Sequence, residues 1–303
     1  GEALIKVHAV ALCTLEQRIF RGEVKMPLPC TGGHEVSGEI VALGDGVNKK
    51  MWAPGDRVAV RLLYNCGECY YCRTGHANLC ERAQKKPVRE GLLIGPGGLC
   101  DYVIVNTGYL FKIPDTLSYE EASLTEPLAC VVHSVTKANI QLGEDVVVIG
   151  GGIMGQYHVM LAKRRGARVI MSEVDESRRT LARKLGADIT FNPMEKDPVE
   201  YVKSLTEGRG ADVVFNTTAI PSVVPQAIAM TGKAGRMIQY SSMHPDAPAP
   251  VSPQMLHGNE PILTGSISPD VHDFFTANRL LSGGIIDCKP LIAKKFPFEQ
   301  AQQ

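Results

Sequence analysis

Residues 146–156 read VVVIGGGIMGQ: an apolar strand, three glycines in the order Gly150-x-Gly152-x-x-Gly155, and the opening of a helix. A strand without a polar residue has to be buried on both faces, which a parallel sheet covered by helices provides. The glycine spacing alone is a weak signal, but between a strand and a helix it has the context that its mechanism requires. The first glycine makes a tight turn, the second lets the backbone approach a pyrophosphate, and the third lets the helix pack on the strand. The helix N-terminus offers free N–H groups and a partial positive charge. Gly150, Gly152, Ile153, Met154 and Gly155 are therefore read as a dinucleotide-binding loop.

The strand after it, ARVIMSE, ends in Glu173. A carboxylate there accepts both ribose hydroxyls of an adenosine and repels a 2′-phosphate, favouring NAD over NADP. The bland alternative is a solvated strand end. Arg178 can reach the same ribose or a phosphate, which keeps NADP as the alternative. Beyond this point ADITFN, PVEYVKSLTEG, ADVVFN, VVPQAIAMTG and GRMIQYS continue the rhythm, so strand and helix alternate five times from residue 145. That is the mark of a parallel sheet with helices on both faces.

The first 113 residues differ. EALIKVHAV, HEVSGEIVAL, DRVAVRLL, DYVIV and YLFKI are short, β-branched and separated by Gly, Pro and Asp, so this part reads as all-β. Residues 118–138 turn helical, and Pro127 is expected to restart the helix at that point. From about residue 266 the chain, including helix-like DVHDFFTANRLLSGG, need not belong to the parallel sheet. A length of 303 residues suits two domains. Lys+Arg and Asp+Glu are equal at 32 each, which gives no electrostatic reason to expect nucleic acid or an anionic membrane. No apolar run approaches the roughly 18–20 residues that span a bilayer, and the start lacks the features of a signal peptide. A cytoplasmic location is expected.

Nine cysteines, four of them within CGECYYCRTGHANLC, argue for reduced thiols and a metal rather than disulfides. Cys66, Cys69, Cys72 and Cys80 form two close pairs that suit a tetrahedral ion, and four sulfurs leave no position for substrate. Structural zinc is expected; iron has the same ligand set. Four free thiols are the bland reading, but this Gly-rich polar segment has little core in which to bury them.

Taken singly, Cys13, His34, Glu35 and Glu126 are unremarkable: a lone Cys or His is usually core, and a lone Glu usually solvated. Their order is informative. A cysteine near the start, the Gly-His-Glu of TGGHE, the four-cysteine lobe, the Glu-Pro of TEPLAC and the dinucleotide loop follow one another as in the zinc-dependent medium-chain dehydrogenase/reductase superfamily. The chain resembles that superfamily over essentially its whole length. Glu126, where alcohol dehydrogenases place a second cysteine, resembles the polyol (sorbitol) and threonine dehydrogenase branch. The resemblance implies a GroES-like β-rich catalytic domain over 1–127 with a zinc lobe at about 64–82. It also implies a Rossmann NAD-binding domain over 128–265 and a return to the catalytic domain over 266–303. It further implies two zinc ions per chain, a catalytic one among Cys13, His34 and Glu126 with Glu35 able to exchange onto it, and a homodimer or homotetramer.

The family pattern breaks beside Cys13. Most relatives continue with Gly-(Ser/Thr)-Asp, whose hydroxyl carries the alcohol proton away; here Cys13-Thr14-Leu15-Glu16 puts Leu15 in that place, and Arg18 stands where a relay histidine is common. The proton is expected to leave through Glu35 acting with a zinc-bound water, Thr14 and a water held by Glu16 or Arg18 being the alternatives. Glu16 and Arg18 are candidate substrate contacts, Arg18 suiting an anionic or richly hydroxylated group; a salt bridge is its bland alternative. The chain also begins and ends inside the span of its relatives, so a longer parent protein with more sequence at the C-terminus is expected. The leading reading is an NAD-dependent zinc oxidoreductase acting on a secondary alcohol of a polyol, cyclitol or sugar acid. An NADP-linked reductase or a lyase using transient oxidation comes second, and a non-enzymatic zinc-lobe binding module third.

Overall fold

The computed structural model describes residues 1–83, 90–243 and 246–300. The chain forms two compact units: Gly1–Ala129 together with Pro269–Gln303, and Cys130–Ser268. The last three residues of the expected return segment lie outside the described residues.

The first unit opens with β1 (Glu2–Ala11), α1 (Thr14–Phe20), β2 (Glu35–Leu43), β3 (Arg57–Arg61), α2 (Tyr70–Arg73), β4 (Tyr102–Asn106) and β5 (Leu110–Lys112). The strands make one antiparallel sheet in the order β4-β1-β2-β3-β5. Side chains alternate between its faces. Ile5, Val36, Ile40, Val58, Val60, Val103 and Val105 fill an apolar core. The opposite face of β2 and β3 is polar: Glu35 lies across from Arg61, Ser37 from Ala59 and Glu39 from Arg57.

Next come α3 (Tyr119–Ser123) and α4 (Thr125–Ala138). The Ser37 hydroxyl donates to the Tyr119 carbonyl, and the Arg57 guanidinium lies 4.3 Å from the centre of the Tyr119 ring, so α3 covers the polar face. A capping box between Ser118 and Glu121 starts α3. The break falls at Leu124, not at Pro127: the proline sits in the first turn of α4, where its missing N–H has no intrahelical partner to lose.

The second unit continues with β6 (Asp145–Ile149), α5 (Ile153–Arg164), β7 (Arg168–Ser172), α6 (Glu176–Leu185), β8 (Ile189–Phe191), α7 (Pro198–Leu205), β9 (Ala211–Asn216), α8 (Val223–Met230), β10 (Thr231–Gln239), α9 (Pro253–Asn259) and β11 (Ile262–Gly265). Its six strands are parallel in the order β11-β10-β9-β6-β7-β8, the doubly wound Rossmann arrangement. The short β11 was not legible in the sequence: four residues after a proline carry too little pattern. Arg236 of β10 holds Glu144 with both ends of its guanidinium, at 2.8 and 2.6 Å, and donates to the carbonyls of Ala138 and Asn139.

The chain then rejoins the first unit with α10 (Val271–Ser282), capped by Asp270 and Asp273. Phe274 packs on Phe111 and Asn278 donates to the Lys112 carbonyl, fixing α10 against β5. No helix among the described residues is long and apolar enough to cross a membrane.

Candidate active site

Cys13 leaves the end of β1, and His34 and Glu35 enter β2. The antiparallel register pairs Ala11 with Glu35, so the two strand ends meet although they are far apart in sequence. One ligand atom each from Cys13, His34 and Glu35 lies within 4.8 Å of the others. A thiol, an imidazole and a carboxylate are all zinc donors, so the set fits that ion. Glu126, buried in the first turn of α4, falls outside that cluster of three but is near enough for its charge to act on both His34 and Glu35.

Helix α1 was not legible in the sequence, being too short to show a period. Cys13 occupies its N-cap position and Glu16 its first turn. Glu16 Oε1 accepts the Gly33 N–H at 3.0 Å and lies 2.9 Å from His34 Nδ1. The carboxylate accepts the Nδ1–H hydrogen bond, so in the neutral ring the lone pair sits on Nε2, which lies 4.0 Å from Glu35. Glu16, expected beside the substrate, is thus engaged with His34. Arg18 is half-buried two residues along α1, about 200° around the helix from Glu16. Leu15 is 39% exposed.

The charges explain the titration of this cluster. Burial works against a charged His34, but hydrogen bonds to Cys13 and Glu16 and the charge of Glu126 outweigh it and push the imidazole up to about 12. Burial, then the charge of Glu126, pushes Glu35 up to about 8. Burial would raise Glu16 as well, yet the His34 hydrogen bond and charge and the Gly33 N–H hold it below the usual carboxylate range. The loop around His34 is clamped by backbone bonds from Gly98 and Leu99 to the Gly32 carbonyl. Gly33 has φ +82°, and a Cβ there would lie 2.7 Å from the Leu99 nitrogen, so no other residue fits.

Cys66, Cys69, Cys72 and Cys80 also have ligand atoms within 4.8 Å of one another. The Cys66–Cys72 and Cys69–Cys80 sulfurs are 3.9 and 4.0 Å apart. Zinc–sulfur bonds of about 2.3 Å give a tetrahedron with edges of about 3.8 Å, so the four sulfurs fit zinc. Backbone N–H groups of Cys66, Cys69 and Arg82 point at sulfurs of the lobe. The N–H groups of Cys72 and Glu81 bring the Cys69 thiol down to about 6.

In the second unit Gly150 has φ +97°, and a Cβ on Gly155 would lie 1.8 Å from the Gly150 carbonyl oxygen. Helix and strand therefore approach as the third glycine of the loop demands. Ile153 and Met154 begin α5. Glu173 is buried, accepting the Gly151 N–H at 2.5 Å and the Asp175 N–H at 2.9 Å. The exposed Arg178 lies 3.9 Å from it. Gln156 donates to the carbonyls of Gly151 and Arg178 and ties loop to ribose-side wall. Sequence reasoning missed this residue, because a glutamine inside a helix has no distinguishing pattern.

The profile of the alcohol dehydrogenase GroES-like domain matches residues 1–115, and that of the zinc-binding dehydrogenases matches residues 154–283. D-arabitol-phosphate dehydrogenase of Enterococcus avium is 34% identical over 305 residues, covering 99% of this chain and 84% of its own. Sorbitol dehydrogenase of Bacillus subtilis (strain 168) is 31% identical over 308 residues, with coverage of 99% and 84%. The chain belongs to the zinc-dependent medium-chain dehydrogenases. It falls in their polyol and threonine branch. A solved zinc-binding dehydrogenase of Sinorhizobium meliloti 1021, bound to NADP, superimposes on this medium-chain dehydrogenase with a TM-score of 0.91 at 29% identity, covering 99% of this chain and 86% of that one. The dehydrogenase is thus an α/β enzyme with a GroES-like domain and a Rossmann domain, and it uses zinc and a nicotinamide cofactor.

Proposed function

We propose that this dehydrogenase oxidises a secondary alcohol of a polyol or sugar acid with NAD, and reduces the corresponding ketone in reverse. The observation that carries the reading is the convergence of Cys13, His34 and Glu35 within 4.8 Å, with buried Glu126 in charge range. Cys13, His34 and Glu126 would hold the catalytic zinc, with Glu35 adjacent and able to exchange onto it, and Cys66, Cys69, Cys72 and Cys80 the structural one. The chemistry that bound zinc supplies is Lewis-acid polarisation of the alcohol oxygen, and a bound nicotinamide supplies the hydride acceptor. The protein's own groups do the rest. Glu16 fixes the His34 tautomer, and Glu35, in contact with Cys13 and lacking competition from a hydroxyl at Leu15, takes the alcohol proton. Glu173, aimed at the glycine loop, favours NAD by receiving ribose hydroxyls.

Relatives that act on arabitol phosphate and sorbitol support the polyol substrate. The reading extends to a cytoplasmic homodimer or homotetramer, for which the outer edge of β11, with exposed Ile262, offers a pairing surface. Near-ultraviolet absorbance of NADH is followed with a panel of polyols and sugar acids, before and after chelation, alongside metal analysis. Two zincs per chain and chelator-sensitive NAD reduction are expected. A single zinc, or no turnover on any alcohol, would sink the proposal. Replacing Glu35 by Gln should abolish turnover while leaving NADH binding intact; a wild-type rate and pH profile would remove Glu35 as the base.

A further inference from the structure

The first two N–H groups of the glycine loop are spent inside the protein. That of Gly150 donates to the Ser172 carbonyl at 2.9 Å, and that of Gly151 to the Glu173 carboxylate. The loop lies tight on this wall: a Cβ on Gly151 would come within 2.9 Å of Glu173 Cγ and 3.2 Å of Arg178 Cβ.

The Gly151 carbonyl is held as well. Gln156, 1% exposed in the first turn of α5, donates to it from Nε2 at 2.9 Å and to the Arg178 carbonyl at 3.0 Å. Both partners are acceptors, so the NH2 end of the amide has to face them and its orientation is fixed. Oε1 is left buried with no partner among the described residues. A buried carbonyl without a donor is costly, and an apolar side chain of the same size would avoid that cost. What the amide contributes is its two donated bonds.

A trans peptide directs its C=O and N–H to opposite sides. The Gly151 carbonyl and the Gly152 N–H belong to one such peptide. Gln156 draws the carbonyl in toward α6 and so turns the Gly152 N–H away from it. Gly152 is the N-cap of α5, where the helix carries its partial positive charge. The anchor on the far side is firm, because the Arg178 N–H is itself held by Asp175 at 3.0 Å.

We propose that Gln156 is a positioning residue for the cofactor diphosphate: by holding the Gly151 carbonyl it aims the Gly152 N–H at the phosphate oxygens. This rests on the reading of the glycine loop as the dinucleotide site. A Gln156 that only packed α5 on α6 would act on every ligand of this unit alike.

The test compares ADP-ribose, which carries the diphosphate, with adenosine, which does not, by calorimetric titration and competition on the full chain. A hydrogen bond to a charged group is worth about tenfold in affinity or more. Gln156→Met, which keeps the bulk and loses both bonds, should weaken ADP-ribose by about that factor and leave adenosine unchanged. Gln156→Glu keeps the shape but turns a carboxylate on two carbonyls, and should lose at least as much. Unchanged ADP-ribose affinity in these variants, or an equal loss for both ligands, would overturn the proposal. Should the variants not fold, wild type still decides: the Gly152 amide resonance should shift with ADP-ribose and not with adenosine, and a Gly152 signal that ADP-ribose leaves unmoved would overturn it too. A wild-type chain that binds ADP-ribose no better than adenosine would instead refute the reading of the loop.

Discussion

Glu16 can reach His34 because β1 ends at Ala11 and the seven residues after Cys13 form a helix. One turn of helix carries the carboxylate back over the Gly32-Gly33 loop, where a single oxygen serves both the imidazole and a backbone N–H. This predicts that Glu16→Ala lowers affinity for the catalytic zinc by about 10–100-fold and leaves the lobe zinc in place. Chelator competition would check it, and equal loss of both metals would count against it. The ligand candidates Cys13, His34 and Glu126 came from an order of motifs that resembles the superfamily, not from the residues taken singly. The role of Glu16 was not legible. Its neighbour in space is 18 positions away, and only the fold of α1 brings it to His34.

At the scale of elements, α4 and α5 are joined by a buried polar contact. His158 of α5 donates from Nδ1 to the Met154 carbonyl and accepts from Ser134 of α4 at Nε2, between the rings of Phe215 and Tyr240. Burial brings its pKa down to about 4, the Met154 hydrogen bond opposing only in part. The unfolded chain protonates this residue near its ordinary value of about 6.5. The neutral, folded form is therefore at no disadvantage above that pH. Between about 6.5 and about 4 the unfolded state binds a proton that the folded state refuses, and stability falls as pH falls. The stability advantage of wild type over His158→Gln should shrink by about 3 kcal/mol between pH 7 and pH 4. Urea unfolding across that range measures it, and a constant difference would contradict the burial argument. The strands and helices of this unit were legible because the central strands β6, β7 and β9 each carry a buried apolar run. The edge strand β11 was not, being paired on one side only and partly exposed.

For the whole molecule, the two kinds of site fall in different units. The eight residues proposed as zinc ligands lie within residues 1–129, and the glycine loop with Glu173 and Arg178 lies within residues 130–268. Removing both zincs by chelation is therefore expected to abolish turnover and loosen the cysteine lobe. ADP-ribose, which needs only the glycine loop and the carboxylate behind it, should bind with unchanged affinity. Calorimetric titration of the metal-free protein tests this, and lost binding would show that the second unit depends on the metals of the first.

One part of the architecture also bears on how the protein is made. The first unit is written in two pieces, with Phe274 and Pro269 meeting Phe111 and Arg61 only after the whole second unit has been synthesised. The Rossmann sheet is a continuous stretch and can close while the chain is still leaving the ribosome. The first unit has to wait, because α10 arrives only after the second unit and its contacts span long sequence separations. Until then Arg61 lacks its Pro269 acceptor and Phe111 lacks Phe274. In vectorial synthesis, the cofactor fold is thus completed before the metal-bearing unit that precedes it in the chain.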